Sequence, residues 1–137
     1  MKNVLAVVIG LLSAFVTIMA LEYLSTVLFP LPEGADPTDL EWLKNNLESI
    51  PGGAMITVAI AHLIGIIIGM FVATLIAKKT LIPAYIVGVI LLVGTIMNLI
   101  VIPHQTWFAV TDFTGALIGF GIGKIISEKR INRIGRD

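Results

Sequence analysis

The chain has 137 residues, of which 57% are hydrophobic and only 13% charged, and its mean hydropathy is +1.00. Soluble domains carry roughly a quarter of their residues as charges, so too little polar side chain is present to coat a water-soluble globule, and a soluble enzyme is excluded. Disordered chains are polar and charge-rich, so the same numbers exclude disorder. A formal net charge of zero supplies no overall field for nucleic acid, and the lack of cysteine excludes disulfides, thiolate chemistry and cysteine metal sites.

A bilayer core about 30 Å thick needs roughly 20 apolar residues in a helix. Four stretches meet that length, at residues 4–29, 54–77, 81–102 and 108–126. The sequence therefore predicts an all-α fold, a four-helix transmembrane bundle, as one integral membrane domain over residues 1–137. The first stretch outruns a signal peptide's apolar region, and no small-x-small cleavage site precedes Glu22, so it reads as a retained helix.

Residues 30–53 follow as a structured outer loop. Proline and glycine bracket it, in Pro30-Leu31-Pro32-Glu33-Gly34 and Pro51-Gly52-Gly53. Thr38-Asp39-Leu40-Glu41 has the form of a capping box with Thr38 as N-cap. It predicts an amphipathic helix of about three turns over residues 38–50, with Leu40, Leu43, Leu47 and Ile50 on one face. Trp42 suits the headgroup level. Such a helix rests on the outer interface, and it could also cover a pocket as a lid.

The second stretch carries Ala61, Gly65, Gly69, Ala73 and Ala77 at four-residue spacing, and the fourth carries Thr111, Gly115, Gly119 and Gly123. The first has Ala6, Gly10 and Ala14 in the same pattern. Small residues on one face let membrane helices approach closely, either within one chain or in a homo-oligomer.

Lys2, Lys78 and Lys79 share one side with Lys124, Lys129, Arg130, Arg133 and Arg136, and Lys44 alone lies opposite. The positive-inside rule then predicts both termini in the cytoplasm, with a basic tail over residues 127–137.

Each helix also contributes one strongly polar residue to its outer half: Glu22, His62, Asn98 and Asp112. At about 1.5 Å per residue all four sit roughly 7–12 Å below the outer boundary. Such groups usually face the bundle interior and often mark function. They form a candidate ligand or proton site, for a small ligand, a cation or a lipid headgroup. The bland alternative is a hydrogen-bonded network that fixes helix register, with His62 as a core histidine paired to a carboxylate. Carboxylates and imidazole are metal-ligand types, but each would come from a different helix, so spacing assigns no metal. His104, in the outer turn, reads as solvent-facing, and Trp107 as an interfacial aromatic.

The chain resembles a family of small bacterial four-helix integral membrane proteins of unknown function. The resemblance is carried by Pro32-Glu33-Gly34 with Asp36, by Ala61-His62 with Gly65 and Gly69, and by Gly94 and Asn98. Ile102-Pro103, Thr106-Trp107-Phe108 and Asp112 complete it. It implies a four-pass fold with a structured outer loop in the bacterial inner membrane, and it brings no substrate or catalytic residue.

Three functions compete. A non-enzymatic membrane protein would bind a ligand, ion or headgroup in the outer half. A small transporter would couple to protons or cations as an oligomer, yet the inner half offers it little beyond Ser13, Thr17 and Thr74. An intramembrane enzyme is disfavoured, because the chain has no activated nucleophile, no phosphate-cradling loop and no cofactor motif.

Overall fold

Each long apolar stretch forms one helix in the computed structural model, which describes residues 2–36 and 38–134. The elements are α1 (Lys2–Leu28), α2 (Leu40–Asn45), a single 3-10 turn (Leu47–Ser49), α3 (Gly52–Ala77), α4 (Ile82–Val101) and α5 (Thr106–Ile134), with no strand among the described residues. Four of these helices are long and apolar enough to cross a membrane. Their surface agrees: Val16, Met19 and Ile100 are 67%, 68% and 72% exposed, a distribution that suits lipid and would aggregate in water.

Helix ends follow local chemistry. α3 stops where Lys78 takes a positive φ of 63° and its N–H bonds the Thr74 carbonyl at 3.0 Å, which turns the chain out of the helix. Pro83 in the first turn of α4 costs nothing there, since early helical N–H groups have no partner in the helix. The four-residue links 78–81 and 102–105 make neighbouring helices antiparallel.

α3 is the hub. α1, α4 and α5 all pack on it, and α4 also touches α1 and α5. Close approach to α1 rests on a reciprocal pair. A Cβ on Gly10 would meet the Gly69 carbonyl at 2.8 Å, and a Cβ on Gly69 would meet the Gly10 carbonyl at 3.0 Å. On the other side, a Cβ on Gly119 would lie 2.7 Å from the Leu63 carbonyl, and one on Gly123 would meet the Met70 sulfur at 2.7 Å. A Cβ on Gly65 would press the Ile18 side chain at 2.5 Å, whereas one on Gly115 would have ordinary contact with Ala59 at 3.7 Å. The core between the helices gathers Ile66, Met70, Ala73, Ala84, Val87 and Ala116.

One expectation about the fold needs correction. The outer-loop helix is six residues long, followed by the 3-10 turn, and is not three continuous turns. Its N-cap is Asp39, whose carboxylate accepts from the Glu41 and Trp42 N–H groups. Thr38 is occupied elsewhere: its hydroxyl and N–H both donate to Asp36 Oδ1, at 2.6 and 2.9 Å. Those bonds hold the Asp36 carboxyl below the usual carboxylate range. At the other end the Asn46 amide donates to the Trp42 carbonyl at 2.8 Å, closing the last turn. Leu43 is buried, Leu47 and Ile50 are half-buried, and Leu40 remains exposed.

α5 also extends beyond its apolar stretch into the basic tail. The helix continues through it to Ile134. Ser127 is fully buried, Glu128 accepts from the Tyr85 hydroxyl at 3.0 Å, and Lys124 lies 3.9 Å from Glu128 one turn on. Arg136 lies outside the described residues.

Candidate functional site

The polar residues of the outer half sit on the four long helices at positions where α3 is encircled by its neighbours. His62 is buried on α3, and its Nδ1 lies 2.8 Å from Asp112 Oδ1 on α5. The Asp112 side chain is 1% exposed, and at that depth its one side-chain partner is the histidine ring. Its second oxygen, Oδ2, is buried with no hydrogen-bond partner.

Glu22 and Asn98 lie on the other side of His62. Together with the histidine they line a cleft of about 370 Å³ between α1 and α4, at the lower end of the ~300–1,000 Å³ usual for small-molecule sites. Phe15, Ile18 and Met19 of α1 form one wall with Glu22. Ile90, Leu91, Gly94 and Thr95 of α4 form the other with Asn98, and Ile66 extends the α3 floor. Glu22 stands beyond ion-pair distance of His62, since neither ion pair among the described residues includes it. The Asn98 carbonyl oxygen is buried and unpartnered. Three of the four residues thus share one cleft, and Asp112 reaches it only through the histidine.

The cleft is lateral. No outer-loop residue lines it, so the loop is not its lid. The loop instead closes over the other face of the bundle, where Leu43 and Ile50 meet Met55, Val58, His104 and Phe108. Gln105 Nε2 anchors it by donating to the Leu47 carbonyl at 2.8 Å. A larger hollow of about 640 Å³ lies above, lined by residues 44–49 with Gln105 and Thr106. It holds no buried ionisable side chain.

His104 is not the solvent-facing residue expected. Its ring stacks on Phe108 with centroids 4.9 Å apart, and its Nδ1 is buried without a partner. Burial pushes its pKa below the ordinary 6.5, with the Ile102 carbonyl and Asp112 pulling weakly the other way. Trp107 is exposed, and its indole N–H donates to Gln105.

Other hydroxyls are spoken for. Ser13, Thr17, Thr57, Thr74, Thr95 and Thr111 each donate to the carbonyl four residues earlier, the usual way a membrane helix hides a hydroxyl. Ser25 is turned toward the Ala54 carbonyl at 3.4 Å and takes no part in the cleft. Among the described residues no three His, Asp or Glu side chains stand close enough to hold one metal ion. Thr95 and Gly94 are cleft residues that sequence reasoning did not assign to the site. The signal for both was their position one turn below Asn98 on α4.

Comparison with protein-family models, curated proteins and solved structures found no match.

Proposed function

We propose that this chain is a non-enzymatic integral membrane protein that holds a small ligand in the cleft between α1 and α4. One observation carries the reading: an ionisable side chain and a buried, unpartnered amide oxygen flank a preformed cavity at membrane depth. Polar atoms without partners in hydrocarbon cost several kcal/mol, and a bound molecule would supply the missing partners. The His62–Asp112 pair is the structural half of the cluster, joining α3 to α5. The cleft is its binding half.

The reading sets the molecule in a bacterial inner membrane with both termini cytoplasmic, since the basic residues gather at the end bearing the Lys78–Lys79 turn. Residues 40–50 then rest at the outer interface, and the small-residue stripes of α1, α3 and α5 serve packing within the chain. Coupled transport is less well supported. Among the hydroxyls far from the outer loop, Ser13, Thr17 and Thr74 are bonded to their own helices, and Ser127 and Tyr85 are bonded to neighbouring ones, so these groups have their protons committed within the protein.

The test uses two glycines with nothing near them. A Cβ on Gly94, in the cleft, and one on Gly121, on α5, each meet no atom within 4 Å. Gly94→Leu adds bulk to the cleft wall from a position where its Cβ meets nothing, and Gly121→Leu is its control. Particles cut from the native membrane with their lipid are examined by native mass spectrometry. A small molecule retained by wild type and Gly121→Leu but absent from Gly94→Leu is the expected result. No adduct in wild type, or one kept by Gly94→Leu, would overturn the proposal.

A further inference from the structure

We infer that the occupant of this cleft is an amphiphile with a protonated amine head, entering sideways from the lipid. The inference rests on the cleft being a binding site and names what it binds.

The polar lining is richer in acceptors than in donors. Glu22 offers a carboxyl group. Asn98 lines the cleft, its carbonyl oxygen buried without a partner and its amide nitrogen a side-chain donor. The Thr95 hydroxyl has given its proton to the Leu91 carbonyl at 3.1 Å, which leaves its lone pairs free. His62 has its Nδ1 committed to a carboxylate oxygen, so Nδ1 carries the proton and a neutral ring has Nε2 as an acceptor. A ligand that satisfies these atoms must donate hydrogen bonds, and an ammonium is a compact group with several donors and no acceptor.

Charge points the same way. No lysine or arginine lines the cleft. The ionisable side chains of the cluster are two carboxyl groups and one imidazole, so acidic groups outnumber basic ones. An anionic head would find no fixed cation there and few donors.

The apolar lining fixes the rest of the molecule. Phe15 lies seven residues below Glu22, and Ile90 eight below Asn98, so greasy walls run about 10–12 Å inward from the polar end at ~1.5 Å per residue. Head toward the outer surface and tail toward the bundle centre is the orientation of an outer-leaflet amphiphile. Phe15, Met19 and Ile90 are exposed on the lipid face and Gly94 has no side chain, so the route in is from the bilayer. An alkyl tail gains little by exchanging lipid for Ile and Phe. Discrimination therefore falls to the head and its acceptors.

The experiment places purified protein in phosphatidylcholine nanodiscs and measures thermal unfolding with octylammonium, octanol or octanoate, three probes that share a tail. Octylammonium should raise the Tm of wild type and of Gly121→Leu above the values with octanol. The rise should vanish in Gly94→Leu and shrink in Glu22→Gln. If Glu22→Gln does not fold, Asn98→Leu removes an acceptor without touching a charge and should shrink the rise in its place. A Gly94-dependent rise with octanoate or octanol instead would overturn the amine head while leaving the cleft as a binding site. No Gly94-dependent rise with any probe would overturn both. An equal rise in every variant would mark a bulk effect on the bilayer and overturn the inference as well.

Discussion

His62 and Asp112 stand 2.8 Å apart although fifty residues separate them in the chain. This contact is the one hydrogen bond between two side chains that joins α3 to α5 among the described residues, and it lies almost wholly out of solvent. Asp112→Ala leaves a buried ring N–H without an acceptor. The expected loss is at least the ~0.6 kcal/mol typical of side-chain hydrogen bonds between membrane helices, rising toward ~1–3 kcal/mol when the donor is stranded. Asp112→Asn keeps an acceptor and should lose less. Unfolding in mixed micelles measures both, and equal stability of Asp112→Ala and wild type would contradict the pairing.

Two glycines should respond oppositely to the same methyl group. Gly119→Ala drives a Cβ to within 2.7 Å of the Leu63 backbone carbonyl, which cannot swing away as a side chain can. A loss of about 1–3 kcal/mol is expected from overpacking. Gly94→Ala meets nothing and should be neutral or gain up to ~1 kcal/mol from the stiffer helix. The same ranking in reverse would mean that α3 and α5 do not pack on this face.

Orientation is open to direct labelling, because the chain has no native cysteine. An impermeant maleimide applied to intact cells should modify Asp36→Cys and spare Asn132→Cys until the membrane is opened. The opposite pattern would invert the proposed topology.

Acid should loosen the packing around His104. Its folded pKa lies below the ordinary 6.5, so the unfolded chain takes up a proton more readily than the folded one. Stability contributed by the neutral ring is complete above about pH 6.5 and falls as pH drops below it. His104→Gln should flatten that part of the pH profile between pH 7.5 and 5. An unchanged slope would show that another group titrates.

Depth could be read from the sequence and direction could not. The helical rise is fixed, and Pro30, Pro51, Pro103 and Trp107 mark where the outer ends lie, so the common level of Glu22, His62, Asn98 and Asp112 followed by counting. Which way each side chain faces depends on how the helices rotate as they pack. That rotation is set by contacts such as Gly10 on Gly69 and Gly119 on Leu63, between segments far apart in the chain. Hence Asp112 went to one side of His62, with Glu22 and Asn98 on the other. Ser25, one turn from Glu22, found the Ala54 carbonyl instead. The outer loop misled for a local reason. Thr38 and Asp39 both suit an N-cap, and the choice fell to Asp39 because Asp36 had already captured the threonine. His104 looked exposed because it lies in a turn, and only the loop folding back over Phe108 encloses it.

α5 runs without a break from Thr106 to Ile134, so one stiff rod of about 40 Å, at ~1.5 Å per residue, carries Asp112 near one end and Lys129, Arg130 and Arg133 near the other. A tilt imposed on the basic end swings the aspartate, with Gly119 against Leu63 as the fulcrum. His62 is tied to that aspartate and forms part of the cleft floor. A force on the charged end is therefore carried along one rigid element to the hydrogen bond that orients the imidazole.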